Sequence, residues 1–206
     1  ASGGMFCSID AGQSWSMTTD PNQLHNVTCV SQDTRPGKEN IWYFGSGELT
    51  GSSASGGGAY YGGNGIYKSV DGGLSWDSLS VTATNTNGFD SNFDFIWNIQ
   101  TDPSNDSLDV VYAATYGAIY RSEDGGESWK KLINGLPKSN MGKIGLDISK
   151  QQPDILYAAI ELDRRTGAVY KSINKGAKWS KMSDAVSGGT GPHYYQELYA
   201  SPHNFD

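Results

Sequence analysis

Short runs in which apolar and polar residues alternate recur along the chain in a fixed order. Val27-Thr28-Cys29-Val30, Ile96-Trp97-Asn98-Ile99 and Ile144-Gly145-Leu146-Asp147-Ile148 each precede a turn. After each turn comes a more apolar run: Ile41-Trp42-Tyr43-Phe44, Val110-Val111-Tyr112-Ala113-Ala114 and Ile155-Leu156-Tyr157-Ala158-Ala159. A third, aromatic-bearing run follows, as in Gly65-Ile66-Tyr67-Lys68, Ala118-Ile119-Tyr120-Arg121 and Ala168-Val169-Tyr170-Lys171, with Met5-Phe6-Cys7 resembling them near the start. Period-two alternation bounded by turn residues predicts β-strands.

The third run of every unit leads into one eight-residue motif, S-x-D-x-G-x-S-W. Its copies span 8–15, 69–76, 122–129 and 172–179, so successive starts are 61, 53 and 50 residues apart. Asp10, Asp71 and Asp124 hold the acidic position and Trp15, Trp76, Trp129 and Trp179 close the motifs; the last copy carries Asn174 and Lys178 instead of Asp and Ser. Asp followed by Gly suits a hairpin that needs positive φ and a side-chain bond to local amides. Each unit therefore reads as strand A, turn, strand B, loop, strand C, the motif turn, then a short strand D beginning at the Trp. Four strands in about fifty residues make a propeller blade. The predicted class is an all-β propeller of four-stranded antiparallel blades, with residues 1–206 forming part of one domain.

Composition agrees. Of 206 residues, 36% are hydrophobic, 18% are charged and 27 are glycine, which fits a globular chain with many tight turns. A formal charge of −7 argues against a general nucleic-acid binder. No apolar run is long enough to span a bilayer. Cys7 and Cys29 are open to either a disulfide or two separate buried thiols. The chain opens near a strand C and closes near a strand A, predicting part of a larger propeller; the alternative is four blades closed by pairing the two ends.

The four motifs resemble the Asp boxes, or BNR repeats, of sialidases, xyloglucanases, sortilin-type receptors and photosystem assembly factors. That resemblance implies that the boxes are structural and lie away from the active face. Trp42-Tyr43-Phe44-Gly45-Ser46-Gly47-Glu48, Val111-Tyr112-Ala113-Ala114-Thr115-Tyr116-Gly117 and Tyr194-Tyr195-Gln196-Glu197-Leu198-Tyr199 are similar to secreted BNR-repeat proteins of Bacteroidota. The similarity implies export by type IX secretion, with secretion machinery among the partners and a secreted or cell-surface location.

In a propeller, loops opposite the boxes gather where ligands approach. The B–C loops begin at Ser46, Tyr116 and Glu161, and the D-to-A connections include 89–94 and 191–195. Glu48, Asp94, Glu161 and Glu197 are the acid candidates there; two carboxylates about 5–10 Å apart could hydrolyse a glycoside. Tyr60, Tyr61, Trp97, His193 and Tyr194 are candidate ligand-binding residues. Asn98, Asp147 and Glu197 are expected at equivalent positions of strand A.

Other chemistries fare worse. A sialidase resemblance implies an arginine triad and an Arg-Ile-Pro motif, whereas this chain has only Arg35, Arg121, Arg164 and Arg165, the last two adjacent. His25, His193 and His203 have no metal-ligand spacing, and no phosphate loop ends the Gly-rich stretch at 56–58. The expectation is a noncatalytic module binding a glycan or a protein surface, without metal or cofactor. The alternative is a glycoside hydrolase.

Overall fold

A computed structural model describes residues 3–22, 26–49, 60–86, 88–139, 141–162, 166–185 and 197–203. The first hairpin is β1 (Phe6–Cys7) with β2 (Ser16–Met17). Blade one comprises β3 (Val27–Gln32), β4 (Trp42–Ser46), β7 (Ile66–Ser69) and β8 (Asp77–Ser78); a small ladder of β5 (Glu48–Leu49) and β6 (Tyr60–Tyr61) interrupts its B–C connection. Blade two runs through β9 (Ile96–Thr101), β10 (Val111–Thr115), β11 (Ala118–Ser122) and β12 (Lys130–Leu132). Blade three is β13 (Ile144–Ile148), β14 (Leu156–Glu161), β15 (Gly167–Ser172) and β16 (Trp179–Ser183). Each blade is an antiparallel sheet in chain order A-B-C-D. The predicted propeller class is the observed one.

Position in the blade explains each strand's composition. Strand B has neighbours on both edges and packing on both faces, so all of β10 is buried. Strand D has one partner and is mostly exposed, as in β16 after Trp179. The A strands stand side by side. Thr28 Oγ1 donates to the Ile96 carbonyl (2.5 Å), Thr101 Oγ1 to the Gln32 carbonyl (2.7 Å) and Gln100 Nε2 to the Leu146 carbonyl (3.1 Å). The Ala200 amide continues the series by donating to Asp147 Oδ2 at 2.6 Å. Among the described residues no ladder joins β1–β2 to the segment 197–203.

The observed register corrects the predicted polar column. Asp147 lies opposite Tyr157, and the equivalent Tyr112 faces Gln100, whereas Asn98 faces Ala114. The equivalent of Asp147 is thus Gln100. Pairing is regular from Thr101 to Asn98, so the offset comes from matching Ile99 with Ile148, whereas Ile99 pairs Ala113 as Leu146 pairs Ala158.

Every box builds the same turn. The Ser8, Ser69, Ser122 and Ser172 hydroxyls accept the amides of Gly12, Gly73, Gly126 and Gly176 at 2.7–2.9 Å. Asp10, Asp71 and Asp124 accept the later serine's amide (2.9–3.0 Å) and hydroxyl (2.5–2.6 Å). Asn174 keeps the amide bond to Lys178 at 2.8 Å, but Lys178 has no hydroxyl to offer. Two successive residues take positive φ, for instance Gly125 at 71° and Gly126 at 100°.

The boxes also join blades. Tyr43 Oη donates to the Gly125 carbonyl (3.2 Å), and Tyr112 Oη to the equivalent Lys175 carbonyl (3.1 Å). Leu79 and Leu132 fill the space where a Cβ on Gly126 or Gly176 would sit. The box tryptophans follow suit. Trp76 and Trp179 are buried, Trp129 is half-buried, and Trp15 on the first hairpin is exposed.

Those carboxylates predict an acid limb. Serine hydroxyls and amides hold Asp10, Asp71 and Asp124 at about 2, from the usual 3.8. Because the folded value is the lower one, the stabilisation is complete above 3.8 and is lost as pH falls towards 2. Asp71→Asn combined with Asp124→Asn should flatten the loss of stability across that window, measured by urea unfolding at stepped pH. Equal slopes in parent and variant would contradict the assignment.

Candidate functional site

The B–C turns meet the D-to-A connections of the next blade at the end away from the boxes. The Gly63 amide donates to the Asp94 carbonyl (3.1 Å), and the Gly117 amide to the Met141 carbonyl (2.7 Å). Glycine is required at the first junction, because a Cβ on Gly47, at φ +89°, would strike that same Asp94 carbonyl. Asn26 closes this corner, accepting the Gly47 amide at 2.9 Å and donating its side-chain amide to the Gly62 carbonyl at 2.7 Å.

Glu48 and Tyr61 face each other across the β5–β6 ladder, next to these glycines, so they share a corner with Asp94. Glu48 is half-buried and Tyr61 exposed. Tyr60 lies on β6. His193 and Tyr194 lie outside the described residues, as do Asp163, Arg164 and Arg165.

Asp94 is fully buried at the end of a 3-10 turn, Asn92–Asp94. Its Oδ2 accepts the Asp90 and Ser91 amides (2.9 and 2.8 Å), while Oδ1 is buried without a hydrogen-bond partner. Burial, above all, raises its pKa, so the protonated form persists to higher pH than for an ordinary aspartate.

Glu161 belongs to a different corner. Its carboxylate accepts the Lys143 amide at 2.8 Å and occupies the space beside Gly142 where a Cβ would stand. Lys143 Nζ lies 5.9 Å from the centre of the Trp97 ring, linking blades two and three. Trp97 is half-buried, with its indole nitrogen buried and without a partner. Glu197 is exposed on the segment beside β13. The structure therefore groups Glu48, Tyr61 and Asp94, places Glu161 with Lys143 and Trp97, and leaves Glu197 apart.

Sequence reasoning missed an aromatic platform on this face. Phe89 lies 5.4 Å from Phe95 and 5.5 Å from Tyr116, edge-on to the latter. Phe89 is half exposed. Both loops were flagged by position; the signal was an aromatic residue in each of two short turns that the blade repeat brings together.

Both cysteines are free thiols. Cys29 turns its sulfur inward against Gly45, and burial pushes it up to about 11, leaving little thiolate at neutral pH. Among the described residues no group of three or more His, Cys, Asp or Glu side chains could hold a metal ion.

No protein-family model matches this chain, and no characterised protein sequence matches it. Solved structures do. An ancestral GH74 enzyme superposes with TM-score 0.58 at 20% identity, over 89% of this chain and 22% of that one. The GH74 xyloglucanase from Xanthomonas campestris gives 0.53 at 19%, over 90% and 28%. YCF48 bound to D1 peptide gives 0.52 at 14%, over 87% and 47%. At these identities the likeness establishes the propeller fold, and the chain spans between about a fifth and a half of each matched protein.

Proposed function

We propose that this chain is a noncatalytic binding module displayed outside the cell, with a glycan received on the loop face. The observation that carries the reading is the fate of the acids. Asp94 is tied to its own turn and Glu161 to the backbone of another blade, so neither is held towards solvent as a paired acid and base. Tyr61 and Phe89 meanwhile are exposed aromatic side chains, of the kind that sugars stack on. Export, with type IX secretion as the route, rests on the sequence resemblance to secreted BNR-repeat proteins. Fractionation of the producing cells tests it, and recovery of the protein only from cytoplasm overturns it.

A glycan array followed by titration calorimetry tests the binding site. Phe89→Ala and Tyr61→Ala should each weaken the best ligand about tenfold, corresponding to roughly 1.4 kcal/mol, without changing the melting temperature. Retention of full affinity by both variants excludes this face.

A second reading, glycoside hydrolysis, is favoured by the raised pKa of the Asp94 carboxyl, whose Oδ1 has no hydrogen-bond partner, at the corner where the Glu48 strand begins. It requires Asp94 as acid, and reducing-sugar release from xyloglucan oligosaccharides would have to vanish in Asp94→Asn. The expected result is no release from the parent protein.

A further inference from the structure

A cleft of about 520 Å³ opens at the box end, between strand D of blade two and the box of blade three. Arg121, Lys130, Lys131 and Lys175 line it, with Glu123 as its one acid. Four cations against one anion leave a local charge of +3 on a chain whose formal charge is −7. Trp129 and the exposed Ile133 supply apolar surface in the same cleft.

The repeat provides an internal comparison. The equivalent cleft between blades one and two is about 280 Å³ and carries Lys68 against Asp77 and Glu127, a local charge of −1. General propeller architecture therefore does not make such a cleft basic. The difference comes from strand D and from the degraded fourth box, where Asn174 replaces the box aspartate. Lys175 stands there at φ 55°, in the place held by Gly72 and Gly125 in the two preceding blades. Ala11 holds the same place in the first box at φ 58°, so the turn accepts a non-glycine residue there, and in blade three that residue brings a cation to the cleft.

Not all of this charge is consumed internally. Lys175 bonds Asp102 at 3.2 Å and Asp154 at 3.5 Å, and Arg121 pairs with Glu123 through Nη1, so the free charge of the cleft is that of Lys130 and Lys131. Arg121 Nε is buried without a partner, and neither Lys130 nor Lys131 meets an acid among the described residues. Both lysines lie on β12, the outermost strand of its sheet, which is paired on one side only. Neighbouring strand residues point to opposite faces, so an extended chain laid along β12 meets a cation above and below the edge. An edge strand offers backbone donors and acceptors at peptide spacing.

We infer that this cleft binds an acidic peptide segment in extended form, added to the free edge of β12 with its carboxylates on Lys130, Lys131 and Arg121 and an apolar side chain against Trp129 and Ile133. The site is separate from the loop face and does not depend on the glycan reading.

Fluorescence anisotropy on the full chain tests it, with the fluorescein-labelled octapeptide Val-Glu-Glu-Val-Val-Glu-Glu-Val, whose paired glutamates face both sides of an extended strand, as the probe. Binding at low salt should weaken at least tenfold in Lys130→Glu/Lys131→Glu, while Lys138→Glu/Lys150→Glu, which reverses two exposed lysines elsewhere, retains it. Unchanged melting temperatures must accompany both variants. A probe of equal charge with prolines in place of the valines cannot pair with a strand edge and should bind at least tenfold more weakly. The inference is overturned by absence of binding, by equal affinity of the double reversal, or by equal affinity of the proline probe. Tighter capture of polygalacturonate or of single-stranded DNA than of the glutamate–valine probe also overturns it, in favour of a polyanion site.

Discussion

A Gly135→Val protein should melt roughly 4–20 °C below its parent. Gly135 follows β12 in the turn that joins blade two to blade three, where the Trp179 amide donates to the Asn134 carbonyl at 2.9 Å and Asn134 Nδ2 to the Ala177 carbonyl at 3.2 Å. Its φ is +83°, and any Cβ would collide with the Trp179 carbonyl oxygen. Left-handed strain for a branched residue costs about 1–2 kcal/mol, and displacing a packed backbone a further 1–3 kcal/mol. For a chain of this size each kcal/mol lowers the midpoint by about 2–4 °C. Gly117→Ala separates the two contributions, because Gly117 has φ +77° with nothing within 4 Å of its missing Cβ. That variant should lose only the strain. Thermal melts followed by circular dichroism make the comparison, and similar shifts in the two variants would show that the blade joint contributes nothing.

Arg35→Met should cost about 3–5 kcal/mol, because it strands a buried carboxylate. Arg35 is 5% exposed, and its guanidinium grips the buried Asp33. It also reaches blade two, donating to the Asn105 carbonyl (2.5 Å), the Leu108 carbonyl (2.9 Å) and Asp109 Oδ1 (2.6 Å). This bond to Arg35, ahead of every other influence, holds the Asp109 carboxyl below the ordinary aspartate range. The loss therefore combines an orphaned charge with an unpinned A–B loop. Adding Asp33→Asn removes the stranded charge and should recover part of the stability, while the interblade bonds stay lost. Urea unfolding of the two single variants and the double variant closes the cycle. Full recovery in the double variant would mean that the contacts to blade two carry no weight.

Arg35 also marks where sequence reasoning stops. It was visible only as one of four arginines unsuited to a sialidase triad, because its partners Asn105, Leu108 and Asp109 lie some seventy positions away. Separation along the chain likewise hid the Phe89–Tyr116 platform and the basic cleft, each assembled from two stretches of chain that only the packed repeat brings together. Local cues also misled the strand A alignment. Asn98 and Asp147 each precede an isoleucine, which invites matching them, yet the strand pairing makes Gln100 the equivalent of Asp147. The loop from Ser46 to Asn64 reads as a long Gly-rich B–C connection, and within it Glu48–Leu49 and Tyr60–Tyr61 pair.

The sequence by itself determined the repeating unit. Four Asp-box turns and their flanking strands are specified by local chemistry: positive-φ glycines, a side chain reaching amides within four residues, and period-two alternation. Such interactions need only near neighbours in the chain, so they are written in short motifs. Tertiary structure alone decided which acids are consumed by the scaffold, which rings meet on the loop face, and which interblade cleft is basic. Apart from Asp94, which its own turn holds, those outcomes depend on residues distant in the chain, such as Glu161 with Lys143, Phe89 with Tyr116 and Lys131 with Lys175, brought together by how the strands and blades pack.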